Sequence, residues 1–215
     1  MTEILNTKDF EIEKESFRKE IRRGPFKAPW SAILDISNDQ LFRDAVWQGF
    51  LDACRTFAKY NKNGYQGEEN PFDLLAERIQ KYFANKSKFD HKSWCEHFID
   101  EMKKVYGYNC RYGQAQKVVN MSFKYLFCCD DSEKYKEKFY PCHMPLDKYT
   151  LLWYFSEFNE YYEEWNWMDY DIYDKIQKNI RKTLGDRTLE CEFIIWNVYK
   201  DKVINLENKN KKKGV

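Results

Sequence analysis

The chain has few glycines and prolines, no excess of either charge and no long apolar run. Its 215 residues include eight glycines and five prolines, too few turn residues for a sandwich or barrel of many short strands. With 36 basic and 35 acidic residues, it lacks the strong positive charge of a nucleic-acid coat protein, so any electropositive surface must be local. No apolar run approaches the length of a membrane span, so we expect no membrane partner.

Seven cysteines are present, and none of them forms a CxxC pair of the kind that binds zinc. Their odd number and the lack of an apolar secretory segment at the N-terminus indicate reduced thiols in a cytoplasmic protein. His91 and His97 also lack the spacing of metal ligands. The sequence therefore predicts neither a disulfide framework nor a metal site.

Apolar residues recur at helical spacing through most of the chain, which predicts an all-α fold. The predicted helices cover residues 40–58, 72–82, 92–106, 114–127, 147–161, 170–184 and 189–199. We divide the chain into a charged N-terminal arm, one helical domain and a basic disordered tail, at residues 1–30, 31–205 and 206–215. A basic cluster in the arm could contact DNA phosphates, but we interpret it as solvated: Arg18, Lys19, Arg22 and Arg23.

Aromatic residues are abundant, with sixteen Tyr, sixteen Phe and seven Trp. Most of them are needed for the core. Replacing the stacking partners of a flipped base also requires an aromatic surface, which any of several residues could supply: Trp153, Tyr154, Phe155, Phe158, Trp165 or Trp167. The sequence does not decide among them.

The segment from Arg111 to Asn120 is the most informative part of the sequence. It follows a predicted helix, turns at Gly113 and opens another helix, so its backbone N–H groups can hold a phosphate at the helix N-terminus. Lys117 lies about one turn into that helix. Asp147 opens a later helix, where a carboxylate is stabilised as an N-cap.

A lysine and an aspartate at facing helix starts are a suitable catalytic pair. A neutral lysine can attack a sugar C1′ and displace a base, but it first needs desolvation or a cationic neighbour to lower its pKa. The aspartate can stabilise the cationic sugar and assist proton movement. Each residue also has a simpler interpretation, with Lys117 as a solvated helix lysine and Asp147 as an ordinary N-cap.

These residues together resemble the helix-hairpin-helix DNA glycosylase superfamily, which includes endonuclease-III-like and oxoguanine glycosylases. The matching residues are Gly113, Ala115, Lys117, Asn120, Leu146 and Asp147, and their spacing is closest to that of archaeal oxoguanine glycosylases. The resemblance covers about residues 40–200 and implies a helical bundle of that family. It implies that Lys117 is the nucleophile and Asp147 the catalytic aspartate, with no metal or organic cofactor.

The same resemblance implies a monomer that binds duplex or single-stranded DNA carrying a modified base, with possible β-lyase activity after base excision. The residues expected to contact DNA are Gly113, Gln114, Ala115, Gln116, Asn120 and His143. For His143, a structural role in its loop is the simpler interpretation.

Two other functions fit the sequence. Ala115 replaces the second hairpin glycine and Arg111-Tyr112 replaces the usual Leu-Pro, which favours a non-catalytic DNA- or protein-binding protein on the same fold. Neutral net charge and abundant aromatics instead favour a helical interaction protein without a nucleic-acid role, such as a phage or host-defence factor.

Overall fold

A computed structural model describes residues 9–22, 33–57, 70–162 and 164–213 of the chain. Its principal helices are α1 Phe10–Arg22, α2 Asp39–Ala53, α3 Pro71–Phe83, α4 His91–Tyr106, α5 Tyr112–Phe127, α6 Lys148–Phe158, α7 Tyr170–Leu184 and α8 Thr188–Lys213. Single helical turns lie at Cys54–Thr56, Ser132–Tyr135, Lys136–Phe139, Trp165–Trp167 and Gly185–Arg187. The described residues form no β-sheet, only an isolated bridge between Ile33 and Asp130. The predicted all-α fold is confirmed.

Polar side chains set the starts of the helices. Asn38, Asn70, Asp90, Asp147 and Asp169 each accept a hydrogen bond from a free N–H group in the first turn of the helix that follows. Local sequence therefore places these starts, and the prediction of Asp147 as an N-cap is confirmed.

Helix α5 is the centre of the fold, and every one of its residues is buried. Helices α2 and α4 pack on it most extensively, while α8 packs on α6 and α1. The closest approach is at Gly49 of α2, where an added Cβ would lie 2.6 Å from the Val118 carbonyl oxygen. The absence of a side chain at this position lets the two helices lie close together.

Several predicted boundaries differ from the structure. Helix α2 ends at Ala53, before the single turn Cys54–Thr56, and α6 ends at Phe158 because Asn159 adopts a left-handed conformation with φ 55°. Helix α8 continues to Lys213, through most of the segment predicted as a disordered tail. No proline or glycine interrupts α8, so its lysines and glutamates extend the helix.

The predicted N-terminal arm contains α1, which packs on the body of the protein. Phe17 is buried against Phe193 and Trp196 of α8. Arg18 donates hydrogen bonds to the carbonyl oxygens of Cys128 and Cys129 just after α5, at 2.7 and 3.1 Å. The interpretation of Arg18 as a solvated residue was therefore wrong, because its guanidinium caps the orphan carbonyls at a helix end. The side chains of Arg22 and Arg23 lie outside the described residues.

All seven cysteines are free thiols. In the part of the chain that the structure describes, no helix combines the length and apolarity that crossing a membrane requires.

Candidate active site

Lys117 and Asp147, which lie 30 residues apart in sequence, meet in the folded protein. The Lys117 Nζ atom lies 2.7 Å from Asp147 Oδ2, and the two side chains are 6% and 13% exposed. The interpretation of Lys117 as a solvated helix lysine was wrong, since α5 is surrounded by other helices. The two residues form a buried ion pair.

The Asp147 carboxylate is held on both of its oxygens. Oδ1 accepts hydrogen bonds from the backbone N–H groups of Tyr149 and Thr150, at 2.9 and 3.1 Å. Oδ2 accepts from Lys117 and, at 3.2 Å, from the indole Nε1 of Trp196 on α8. Asp147 therefore combines the N-cap role with an orientation toward Lys117, which makes its two predicted roles compatible.

The ion pair lies in a pocket of about 440 Å³. This volume is within the range of roughly 300–1,000 Å³ that is usual for small-molecule sites. Aromatic side chains supply much of its wall: Phe17, Tyr125, Tyr149, Trp165 and Trp196. Helix α2 supplies a polar wall of Gln48 and Asp52, continued by Arg55 in the turn that follows. The pocket thus combines a charged pair with surfaces on which a flat ring can stack.

Both members of the ion pair are charged. Burial disfavours the ammonium of Lys117, but the nearby carboxylates, chiefly that of Asp147, raise its pKa above the ordinary lysine value. Burial likewise disfavours the Asp147 carboxylate, yet Lys117 lowers the pKa of Asp147 below its ordinary value. Lys117 in this state is a protonated ammonium, which must lose a proton before it can act as a nucleophile.

A second buried ion pair lies beside the first. Lys124 Nζ on α5 is 2.5 Å from Glu192 Oε2 on α8, in a contact without regular hydrogen-bond geometry. The Lys124 ammonium also lies 4.0 Å from the centre of the Phe17 ring. Burial raises the pKa of Glu192. Two lysines and several carboxyl groups thus influence one another through a poorly solvated region.

The structure places the predicted DNA-contacting residues of the hairpin in the interior. Gly113 donates its N–H group to the Met168 carbonyl oxygen at 2.9 Å, and an added Cβ would lie 1.9 Å from the Trp165 carbonyl oxygen. The turn that carries Trp165 therefore covers the backbone that was expected to hold a phosphate. Ala115 is fully buried.

The polar side chains of the same hairpin bind other parts of the protein. Gln114 donates to the Thr56 carbonyl oxygen at 2.7 Å and accepts from the Arg111 N–H group at 3.0 Å. Gln116 is fully buried and bonds the backbone of Leu146. These amides position the walls of the pocket, and direct contact with DNA would require them to leave these bonds.

Asn120 and His143 belong to a buried hydrogen-bonded cluster. Asn120 Oδ1 lies 2.8 Å from His91 Nε2, and the Tyr173 hydroxyl bonds both Asn120 Nδ2 and His143 Nδ1 at 2.9 Å. Burial lowers the pKa of His143 to about 3, so its imidazole is neutral. The structure therefore favours the structural role for His143, because its ring nitrogen is engaged inside the protein.

Of the aromatic residues considered for base stacking, Trp165 lines the pocket, whereas Trp153 and Tyr154 are in the core. Trp167 is exposed, and the Arg111 guanidinium lies over the Trp167 ring, 3.4 Å from the ring centre. Trp196 also lines the pocket, although the sequence indicated only a terminal helix packing on the body.

The sequence analysis did not identify the α2 wall of the pocket. Its signal was the spacing of Gln48 and Asp52, four residues apart in the otherwise apolar second half of α2, followed by Arg55 three residues later. This spacing places polar groups on one face.

Comparison of the chain with protein-family models, with curated proteins and with solved structures found no match.

Proposed function

We propose that the protein is a DNA N-glycosylase that excises a modified base, with Lys117 as nucleophile and Asp147 as electrostatic partner. The observation that carries the proposal is the buried Lys117–Asp147 ion pair inside an aromatic-lined pocket. A base flipped out of a nucleic acid needs such a stacking surface, and a glycosidic bond needs a nucleophile and an anion beside it. The helix-hairpin-helix resemblance of the sequence supports the same assignment.

The first step is a proton transfer, because Lys117 rests as an ammonium. The hydrogen bond from Nζ to Asp147 Oδ2 provides the acceptor. The neutral amine then attacks C1′, the C1′–N bond breaks, and its electron pair goes to the base, which takes up the proton from Asp147 as the bond breaks. The restored Asp147 carboxylate stabilises positive charge on the sugar in the transition state.

Opening of the sugar ring would follow from the same covalent bond, and a lyase step, in which loss of a C2′ proton expels the 3′ phosphate, would come after it. The C1′–O4′ bond opens with protonation of the oxygen, and the attached nitrogen becomes a protonated imine. Borohydride reduces that imine to a stable amine, which links the protein covalently to the DNA. The adduct therefore reports the Lys117 mechanism directly.

We would incubate the protein with borohydride and a panel of duplex and single-stranded oligonucleotides, each with one modified base. Wild type should give a covalent adduct with at least one of them, and Lys117→Gln should give none. Lys104→Gln is the matched control, because Lys104 is 74% exposed on α4 and pairs only with Glu101 among the described residues. Absence of both adduct and base release across the panel would overturn the proposal.

A non-catalytic binding protein on the same scaffold is the second candidate. Two observations favour it: the Gly113 N–H group is already bonded to Met168, and the Lys117 ammonium is stabilised by its neighbours. Such a protein would bind a nucleic acid or nucleotide with ordinary salt dependence and give no adduct. Binding measured across salt concentrations, together with the trapping experiment, separates the two functions.

A further inference from the structure

The α2 wall of the pocket carries polar groups whose hydrogen-bonding capacity the described residues leave largely unfilled. Among the described residues, neither the Gln48 amide nor the Arg55 guanidinium forms a hydrogen bond or ion pair. Asp52 accepts one bond, from the Tyr125 hydroxyl to Oδ2 at 2.7 Å, and its Oδ1 accepts none from the described residues. The hairpin amides behave differently, since Gln114 and Gln116 are engaged inside the protein.

Helix packing and hydrogen bonds fix the position of this wall. Gly49 lies between Gln48 and the Asp52 turn of α2, and its contact with the Val118 carbonyl oxygen brings α2 close to the helix that carries Lys117. The bond from Gln114 to Thr56 holds the turn that contains Arg55. The Tyr125 hydroxyl orients the Asp52 carboxyl group, whose other oxygen accepts no bond from the described residues. The backbone of the wall and the Asp52 side chain are therefore held in place, which lowers the ordering cost of binding a ligand there.

The chemistry of these groups selects a class of ligand. A carboxylate only accepts hydrogen bonds, so Asp52 sets the preference, while the Gln48 amide on the same helix face offers an acceptor oxygen and also N–H donors. An exocyclic amino group has two N–H bonds, so it can donate to both acceptors, whereas a carbonyl oxygen at the same place can donate to neither. Asp and Gln side chains read amino-bearing base edges in the same way in nucleic-acid complexes. Arg55 is exposed at the pocket, where a guanidinium suits a phosphate.

Resting on the proposed function, we propose that Gln48, Asp52 and Arg55 determine specificity. Gln48 and Asp52 bind a nucleobase with an exocyclic amino group, and Arg55 binds the adjoining phosphate. The substrate class is then an amino-bearing base, such as a modified adenine, cytosine or guanine, and not a base of the uracil or thymine type.

Calorimetric titration of the whole chain with deoxynucleoside monophosphates tests this assignment without any catalytic step. The two informative pairs are dCMP against dUMP and dAMP against dIMP, since each pair differs by replacement of the amino group with a carbonyl oxygen and of the adjacent ring acceptor nitrogen with an N–H donor. Wild type should bind the amino member roughly tenfold more tightly. Asp52→Asn should reduce that preference to near unity, because its amide nitrogen can donate to the carbonyl ligands. Asp44→Asn, the same change elsewhere on α2, should keep the full preference.

Arg55 is tested by comparing each monophosphate with its nucleoside. Arg55→Gln should remove most of the affinity that the phosphate adds and leave nucleoside binding unchanged, while Arg43→Gln on the preceding helix α2 should change neither. Three results would overturn the inference: equal affinities for the two nucleotides of each compared pair, no saturable binding at millimolar nucleotide, or equal effects of the control variants. Tighter binding of the amino-bearing nucleotides without a borohydride adduct would contradict only the glycosylase function. An adduct without that difference in affinity would contradict only this inference.

Discussion

The side-chain amide of Gln116 bonds both backbone polar groups of Leu146, the residue that precedes Asp147. Gln116 Nε2 donates to the Leu146 carbonyl oxygen at 3.0 Å, and its Oε1 accepts from the Leu146 N–H group at 3.2 Å. Gln177 holds Met144 in the same manner, at 2.7 and 3.2 Å. The segment before α6 is therefore attached to α5 and α7, and these attachments set where Asp147 lies.

Replacing Gln116 by Met should remove this attachment with little change in volume. The Leu146 N–H and carbonyl groups would then be buried without partners, at about 1 to 3 kcal/mol each, so the free energy of unfolding should fall by about 2 to 6 kcal/mol. Asp147 should also lose its position beside Lys117. Urea denaturation measures the stability, and borohydride trapping or nucleotide titration measures the site.

Gln177→Met is the matched control for this variant, because it removes an equivalent pair of bonds two residues further from Asp147. It should cost similar stability and retain more of the site's binding or trapping. If both variants impaired the site equally at equal stability, Gln116 would have no special part in positioning Asp147.

The ion pair itself should be strongly coupled. Lys117→Met leaves the Asp147 carboxylate buried without its cation, and loss of one partner of a buried pair costs about 3 to 5 kcal/mol. The double variant Lys117→Met, Asp147→Asn should lose less stability than the sum of its two single variants, because it leaves no unpaired charge. A double-mutant cycle in urea measures this difference, and additive losses would contradict the close pairing of the two side chains.

The contact between Gly49 and α5 should tolerate no methyl group. Gly49→Ala would bring a Cβ within 2.6 Å of the Val118 carbonyl oxygen and within 3.1 Å of the Ser122 hydroxyl. Separation of the helices should lower the free energy of unfolding by about 1 to 3 kcal/mol, despite the better helix propensity of Ala. Adding Ser122→Ala should not restore the stability, because the shorter contact is to backbone. Full restoration would show that the hydroxyl, and not the backbone, causes the strain.

The buried histidine His143 should make the protein less stable in acid. Its pKa is about 3 in the folded chain against 6.5 ordinarily, so below pH 6.5 the unfolded chain binds a proton that the folded chain does not. Stability should therefore fall as pH decreases, by about 1.4 kcal/mol per pH unit from this group. The raised pKa values of Asp52 and Glu192 act in the opposite direction, so we compare variants and not absolute stabilities.

His143→Asn keeps an acceptor near the Tyr173 hydroxyl and removes the titrating ring. The slope of unfolding free energy against pH between pH 5 and 6 should be smaller in this variant by about 1.4 kcal/mol per pH unit, the contribution of one proton. Identical slopes in the two proteins would mean that the His143 ring titrates normally in the folded state.

The sequence predicted the helices because their signals are local. Apolar spacing identified the helices α2 to α8 but not α1, and capping side chains such as Asn38 and Asp147 placed the starts within a residue or two. Ends were less predictable, since α6 stops where Asn159 turns left-handed and α8 passes through a lysine-rich tail that looked unstructured. Lys117 and Asp147 were identified by motif spacing, which depends only on order along the chain.

The order of amino acids is enough to predict the all-α class and to point to Lys117 and Asp147. The packing of the helices is needed to bury Lys117 as a charged group, to lay Trp165 over the hairpin backbone at Gly113 and to turn the α2 wall toward the pocket. The physical reason is that helix propensity and capping act over a few residues, whereas burial and pKa depend on which distant helices surround a side chain. Lys117 lies next to Asp147 only because α5, α6 and α8 pack together.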